Sequence, residues 1–182
     1  MGLKNTNARY NRLSISLHWL MVLLIAAVYA LIELRGIYPR GSEPREAMKM
    51  WHFMLGLSVL LLVLIRIGVR FGSGKAPVIT PAITNWQALL AKVVHLALYA
   101  LMLVLPLAGW FILSLSGKPI PFFGLELPAL ATENKELAKT IEEIHETAGK
   151  VGYGLIGLHA VAALFHHYIR RDSTLKRMLP GK

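Results

Sequence analysis

Apolar residues in this chain gather into four long runs, not into the spaced stripes of a soluble bundle. Leu13 to Ile32 holds no formal charge and follows Arg12. Met50 to Ile65 continues to Val69 through Arg66, a side chain able to snorkel from near a helix end. Val93 to Leu115 carries Pro106, an expected kink. Val151 to Ile169 is the fourth run, with its helix expected to start near Glu142. A hydrocarbon layer needs about 20 apolar helical residues to cross it. The pattern therefore predicts spans over approximately 13–34, 50–69, 89–115 and 145–169. The expected fold is all-α, one transmembrane four-helix bundle filling residues 1–182, with no repeat and no second domain. The first run is longer than the apolar region of a signal peptide and lacks a small-residue cleavage site.

Composition sharpens this picture. Of 182 residues, 55% are hydrophobic and 16% charged, against about 25% charged in an ordinary soluble domain. A water-soluble enzyme, a disordered chain and a coiled coil are excluded as leading readings. The chain has no cysteine. That excludes disulfides, thiolate metal sites, iron–sulfur clusters and c-type haem attachment.

The net charge of +10 is unevenly placed. The N-terminal tail, the loop near residue 75 and the C-terminal tail, counted with Arg66 and Lys92, hold twelve Lys/Arg and one acid, Asp172, a net of +11. The opposite segments hold eight Lys/Arg and nine Glu, a net of −1. The positive-inside rule then puts both termini in the cytoplasm. The basic excess serves topology and anionic-lipid contact, not nucleic acid. Trp19 and Trp86 fall near the basic boundary, Trp51 and Trp110 near the other, as in an aromatic belt. In the outer loop, Phe122 to Leu125 is expected to rest on the membrane surface.

The candidate chemistry lies in seven histidines: His18, His52, His95, His145, His159, His166 and His167. All lie within or beside a span, where ionisable groups are costly and suggest function. His145 and His159 are about four helical turns apart. They share a helix face within about 40° and are separated by about 21 Å along the axis. Gly149, Gly152, Ile156 and Ala163 lie on the same stripe, and Gly56 follows His52 by one turn. Small residues there leave room for a flat macrocycle, or for close helix packing. By depth, His52 and His145 meet near the outer boundary. His18 lies nearer the basic side, where His159, His166 and His95 are all within range as partners. Paired imidazoles without an intramembrane acid suit the two axial positions of b-type haem better than a zinc site. An iron with both axial positions filled favours electron transfer over oxygen binding.

The sequence resembles the bacterial cytochrome b561 family from Arg9 to Pro180. The resemblance rests on Arg12-Leu13-Ser14-Ile15-Ser16-Leu17-His18-Trp19 and on Glu33-Leu34-Arg35-Gly36. It rests also on His145-Glu146-Thr147 with Gly152-Tyr153, and on Ile156-Gly157-Leu158-His159-Ala160 leading to His166-His167-Tyr168. It implies two b-type haems, with iron bound by His18 and His159 in one site and by His52 and His145 in the other. It also implies a multi-pass protein of the bacterial inner membrane that oxidises superoxide at the periplasmic side and reduces ubiquinone. Arg35, Arg40, Arg45 and Lys49 are candidates for steering superoxide or for binding haem propionates. His166, His95 and His167 are candidates for lining a quinone pocket and supplying protons. No obligate protein partner is expected. Two other readings stand beside this one. The first is a haem b subunit passing electrons from a periplasmic dehydrogenase or hydrogenase to quinone. The second is a non-redox metal or ion carrier.

Overall fold

A computed structural model describes residues 4–180. Four helices run α1 Arg12–Leu34, α2 Glu43–Gly72, α3 Asn85–Leu115 and α4 Lys135–Tyr168. Each is long and apolar enough to cross a membrane. α1 packs on α2, α2 on α3 and α3 on α4, in up-down order. α1 and α4 do not close the ring with comparable backbone packing. The first and last helices meet instead through side chains, Tyr29 with Gly149 and Tyr153 with Glu33.

The helices begin where caps permit, outside the apolar runs. α1 is capped by Asn11, whose Oδ1 accepts from Ser14 N at 2.9 Å. α2 starts at Glu43, with Pro44 in its first turn and Glu43 and Glu46 at the positive end of its dipole. α4 starts at Lys135, well before the expected Glu142. Asn134 Oδ1 accepts from Leu137 N at 3.0 Å there. At 34 residues α4 is about 51 Å long. Its polar first turns therefore stand beyond a hydrocarbon layer of about 30 Å. α3 runs unbroken through Pro106.

Little of this structure is buried by the chain itself. Only 6% of the most apolar window of α3, and likewise of α4, is covered, so lipid must cover the rest. One internal cluster joins α1, α2 and α3 around Met21, Val59 and Val63. A second joins Leu57, Leu113 and Ile120 at the outer end.

The outer loop folds back as a hairpin. β1 Pro121–Phe122 pairs antiparallel with β2 Leu125–Glu126 across Phe123 and Gly124, both at positive φ. Phe122 packs on the second cluster and Phe123 meets Trp51 with ring centres 6.2 Å apart. This stretch is therefore partly docked on α2, although Phe123 and Leu125 stay exposed.

At the opposite end three distant segments are woven together. Asn5 N donates to Ser73 O, Tyr10 N to Arg177 O, Val78 N to Asn7 O and Ser173 N to Thr80 O. Asn11 Nδ2 reaches Ser73 Oγ at 2.7 Å, and Arg177 donates to Pro77 O. The first and last described segments therefore lie on one side of the bundle. Trp19 at that end donates to Met178 O at 2.7 Å, and Trp110 at the other to Pro128 O at 3.0 Å.

Candidate functional site

Five of the seven histidines converge at two levels, four of them half-buried and His95 exposed. At the outer level His52 of α2 faces His145 of α4, with ring centres 6.4 Å apart and planes at 75°. At the inner level His18 of α1 faces His159 of α4, at 6.2 Å and 76°. His95 of α3 also approaches His159, at 5.3 Å. α4 thus serves both levels through two histidines on one face, while α1 and α2 each supply one partner.

These separations can be tested against an axial ligand pair. A metal–imidazole bond of about 2.0 Å on each side, plus about 1.1 Å from nitrogen to ring centre, requires roughly 6.2 Å between rings. Both facing pairs meet this value. His95 and His159 are about 1 Å too close for it. The hydrogen bonding agrees at the outer level. His52 Nδ1 lies 3.0 Å from Val28 O, so its proton is held there and Nε2 is left free as a ligand. His145 Nδ1 is buried without a partner. All four rings are half-buried. A methyl group built on Gly56 or Gly149 would meet nothing within 4 Å, so space is open one turn from each outer histidine. The residues present fit a bis-histidine haem at each level.

Gly152 behaves differently. Tyr29 of α1 crosses to α4, where its hydroxyl donates to Gly149 O at 2.8 Å and would collide with any Cβ on Gly152. Tyr29 lies against Tyr153, with ring centres 4.3 Å apart and planes tilted at 47°, and Tyr153 donates to Glu33 at 2.9 Å. Gly152 therefore admits a helix-bridging tyrosine rather than a macrocycle edge.

The sequence profile of the prokaryotic cytochrome b561 family matches residues 9–181. This chain belongs to that family. It is 40% identical over 174 residues to Cytochrome b561 homolog 1 of Escherichia coli (strain K12), covering 96% of this chain and 98% of that one. It is 39% identical over 177 residues to a protein of Yersinia pestis named probable superoxide oxidase CybB, covering 96% and 97%. Cytochrome b561 homolog 2 of Escherichia coli (strain K12) is 30% identical over 187 residues, covering 98% and 95%. A cytochrome b561 is a multi-pass membrane protein of haem b electron transfer, and the four apolar helices agree.

The other candidate residues of this cytochrome b561 divide by position. In the outer turn, Arg45 Nη1 donates to Arg35 O at 3.2 Å and Tyr38 O at 2.9 Å, pinning the 3-10 turn Arg35–Ile37. Lys49 pairs with Glu46 at 2.6 Å. Arg40 is exposed. At the inner end His166 Nδ1 lies 2.5 Å from Asp172 Oδ2, and the Asp172 side chain is wholly buried. Burial raises the Asp172 pKa. The hydrogen bonds from His166 and from Thr174 N, the latter 2.8 Å from Oδ1, outweigh it and hold the group below the usual carboxylate range. His167 Nδ1 is buried without a partner.

Three groups take roles that sequence reasoning misses. In the sequence Asp172 reads only as a charge. The Tyr29–Tyr153 bridge has no local signal. Arg66 reads as part of the basic surface, whereas its Nη2 lies 3.4 Å from His18 Nδ1 and its Nε donates to Tyr99 at 3.1 Å. Its place about four turns beyond His52 on α2 is the available clue.

Proposed function

We propose that this cytochrome b561 takes electrons from superoxide on the side opposite its termini and delivers them to ubiquinone within the membrane. The observation that carries the reading is the pair of facing imidazoles at each of two levels. His52 and His145 would hold the outer haem, and His18 and His159 the inner one. When bound, the two haems supply one-electron carriers separated through the bilayer. Two superoxide ions leave as two oxygen molecules, and one quinone takes two electrons and two protons to become quinol.

The residues of the chain define the rest. Arg35 and exposed Arg40 lie in the turn between α1 and α2, where positive charge raises the encounter rate of a small anion. His95, His166 and His167 lie at the inner end, where an imidazole can pass protons to reduced quinone near neutral pH. Asp172 holds the His166 ring in place. The basic surface around the termini faces the cytoplasm of a bacterial inner membrane. The name of the Yersinia pestis relative agrees with superoxide as donor.

The test is haem stoichiometry together with superoxide-driven ubiquinone reduction by the isolated chain. Two b-type haems per polypeptide and quinol formed without a partner protein are expected. Fewer than two haems after full loading, or activity only with a co-purifying dehydrogenase, would sink the proposal.

A further inference from the structure

Arg66 stands where the two-level plan of the bundle changes. The step from His52 to Arg66 along α2 equals the step from His145 to His159 along α4. Each helix therefore carries a polar group at two levels about 21 Å apart on nearly one face. At the outer level α2 brings an imidazole. At the inner level it brings a guanidinium, and α1 brings the histidine instead.

The guanidinium lacks acceptors. Nε has Tyr99, Nη2 has only the His18 contact at 3.4 Å, and Nη1 is buried with no partner. A guanidinium is always charged, and burying it unpaired is strongly unfavourable. The protein offers no anion among the described residues. All nine Glu belong to the outer side of the chain, and the one Asp, Asp172, is engaged by His166 and Thr174. Metal ligation at His18 makes the deficit larger. An imidazole that gives Nε2 to a metal keeps its proton on Nδ1. His18 Nδ1 then presents a donor to a donor, leaving both Nη groups of Arg66 unsatisfied.

We infer that Arg66 binds a propionate carboxylate of the haem held by His18 and His159, and raises the midpoint potential of that haem. This rests on the proposed haem site. The guanidinium fork matches the two oxygens of a carboxylate. A fixed positive charge beside a redox centre favours its reduced state, which biases electron flow from the outer level toward the inner one.

The experiment is a redox titration of the haem-loaded protein in quinone-free detergent, for wild type, Arg66→Gln and Arg66→Lys. In Arg66→Gln the inner haem should fall in midpoint by about 59 mV, the one-electron equivalent of tenfold, or be lost, with the outer haem bands unchanged. Arg66→Lys should recover at least half of that effect. The inference is overturned by wild-type occupancy and midpoint in Arg66→Gln, by a Lys variant no better than Gln, or by loss of both haems. Infrared redox difference spectra identify the anion. Carboxylate bands that change in Arg66→Gln support propionate. An effect that appears only on adding back anionic lipid identifies a phosphate and overturns the assignment. A wild-type protein without a second haem would defeat the underlying haem site, a separate failure.

Discussion

A single buried carboxylate organises the inner end of the molecule. Asp172 follows the end of α4 and Arg171, which has a positive φ of 55°. Its own N donates to His166 O, Oδ1 accepts from Thr174 N, and Oδ2 meets His166 Nδ1. Arg170 adds a more distant contact at 3.9 Å. Because the folded pKa is depressed, the stabilisation is fully present above the unfolded value near 3.8. It is lost as pH falls through the lower folded value. Asp172→Asn should therefore destabilise the protein at neutral pH by about 1–3 kcal/mol, the usual cost of unpairing a buried polar group. The difference from wild type should shrink at acid pH. Thermal unfolding in detergent at pH 7 and near pH 3 checks this, and an equal difference at both would refute it.

At the scale of the element, α4 is the shared post of both levels. Its two histidines recur on one face, whereas their partners come from two different helices. His145→Ala should abolish the outer haem and leave the inner haem spectrum, and His159→Ala should do the reverse. Visible spectra of the two variants check this, and loss of both haems from either would contradict independent sites. The His145–His159 spacing is legible in the sequence because helical periodicity is local. The partner of His18 is not, since depth along a helix allows His159, His166 and His95 alike, and only the packing of α1 against the rest separates them. The spans are legible because a bilayer demands long apolar runs. The polar start of α4 at Lys135 is not, since it depends on the Asn134 cap rather than on hydrophobicity. The weave of Asn5, Ser73, Thr80 and Arg177 pairs backbone groups far apart in sequence and leaves no local pattern.

Across the whole molecule, charge is segregated while the histidines run from end to end. The side bearing the termini nets +11 and the other −1, so any attraction of superoxide must come from local charge, not from the mean field of the outer face. Of the four candidate cations after α1, two are committed. Arg45 is tied to the carbonyls of Arg35 and Tyr38, and Lys49 is neutralised by Glu46. Arg40 is exposed, and Arg35 sits in the turn that follows α1. Steering should therefore depend on Arg40 and Arg35 more than on the Lys49–Glu46 pair. Arg40→Glu combined with Arg35→Glu should slow superoxide oxidation roughly twofold to tenfold at low salt, and should flatten or invert its ionic-strength dependence. Exchanging the Lys49–Glu46 pair for two glutamines should change the rate little, because the pair carries no net charge. Stopped-flow reduction of the haems by superoxide at several salt concentrations distinguishes these outcomes. A double variant with the wild-type rate and salt slope would mean that the cations serve the fold of the turn or the lipid surface, and that superoxide reaches the outer level by diffusion alone.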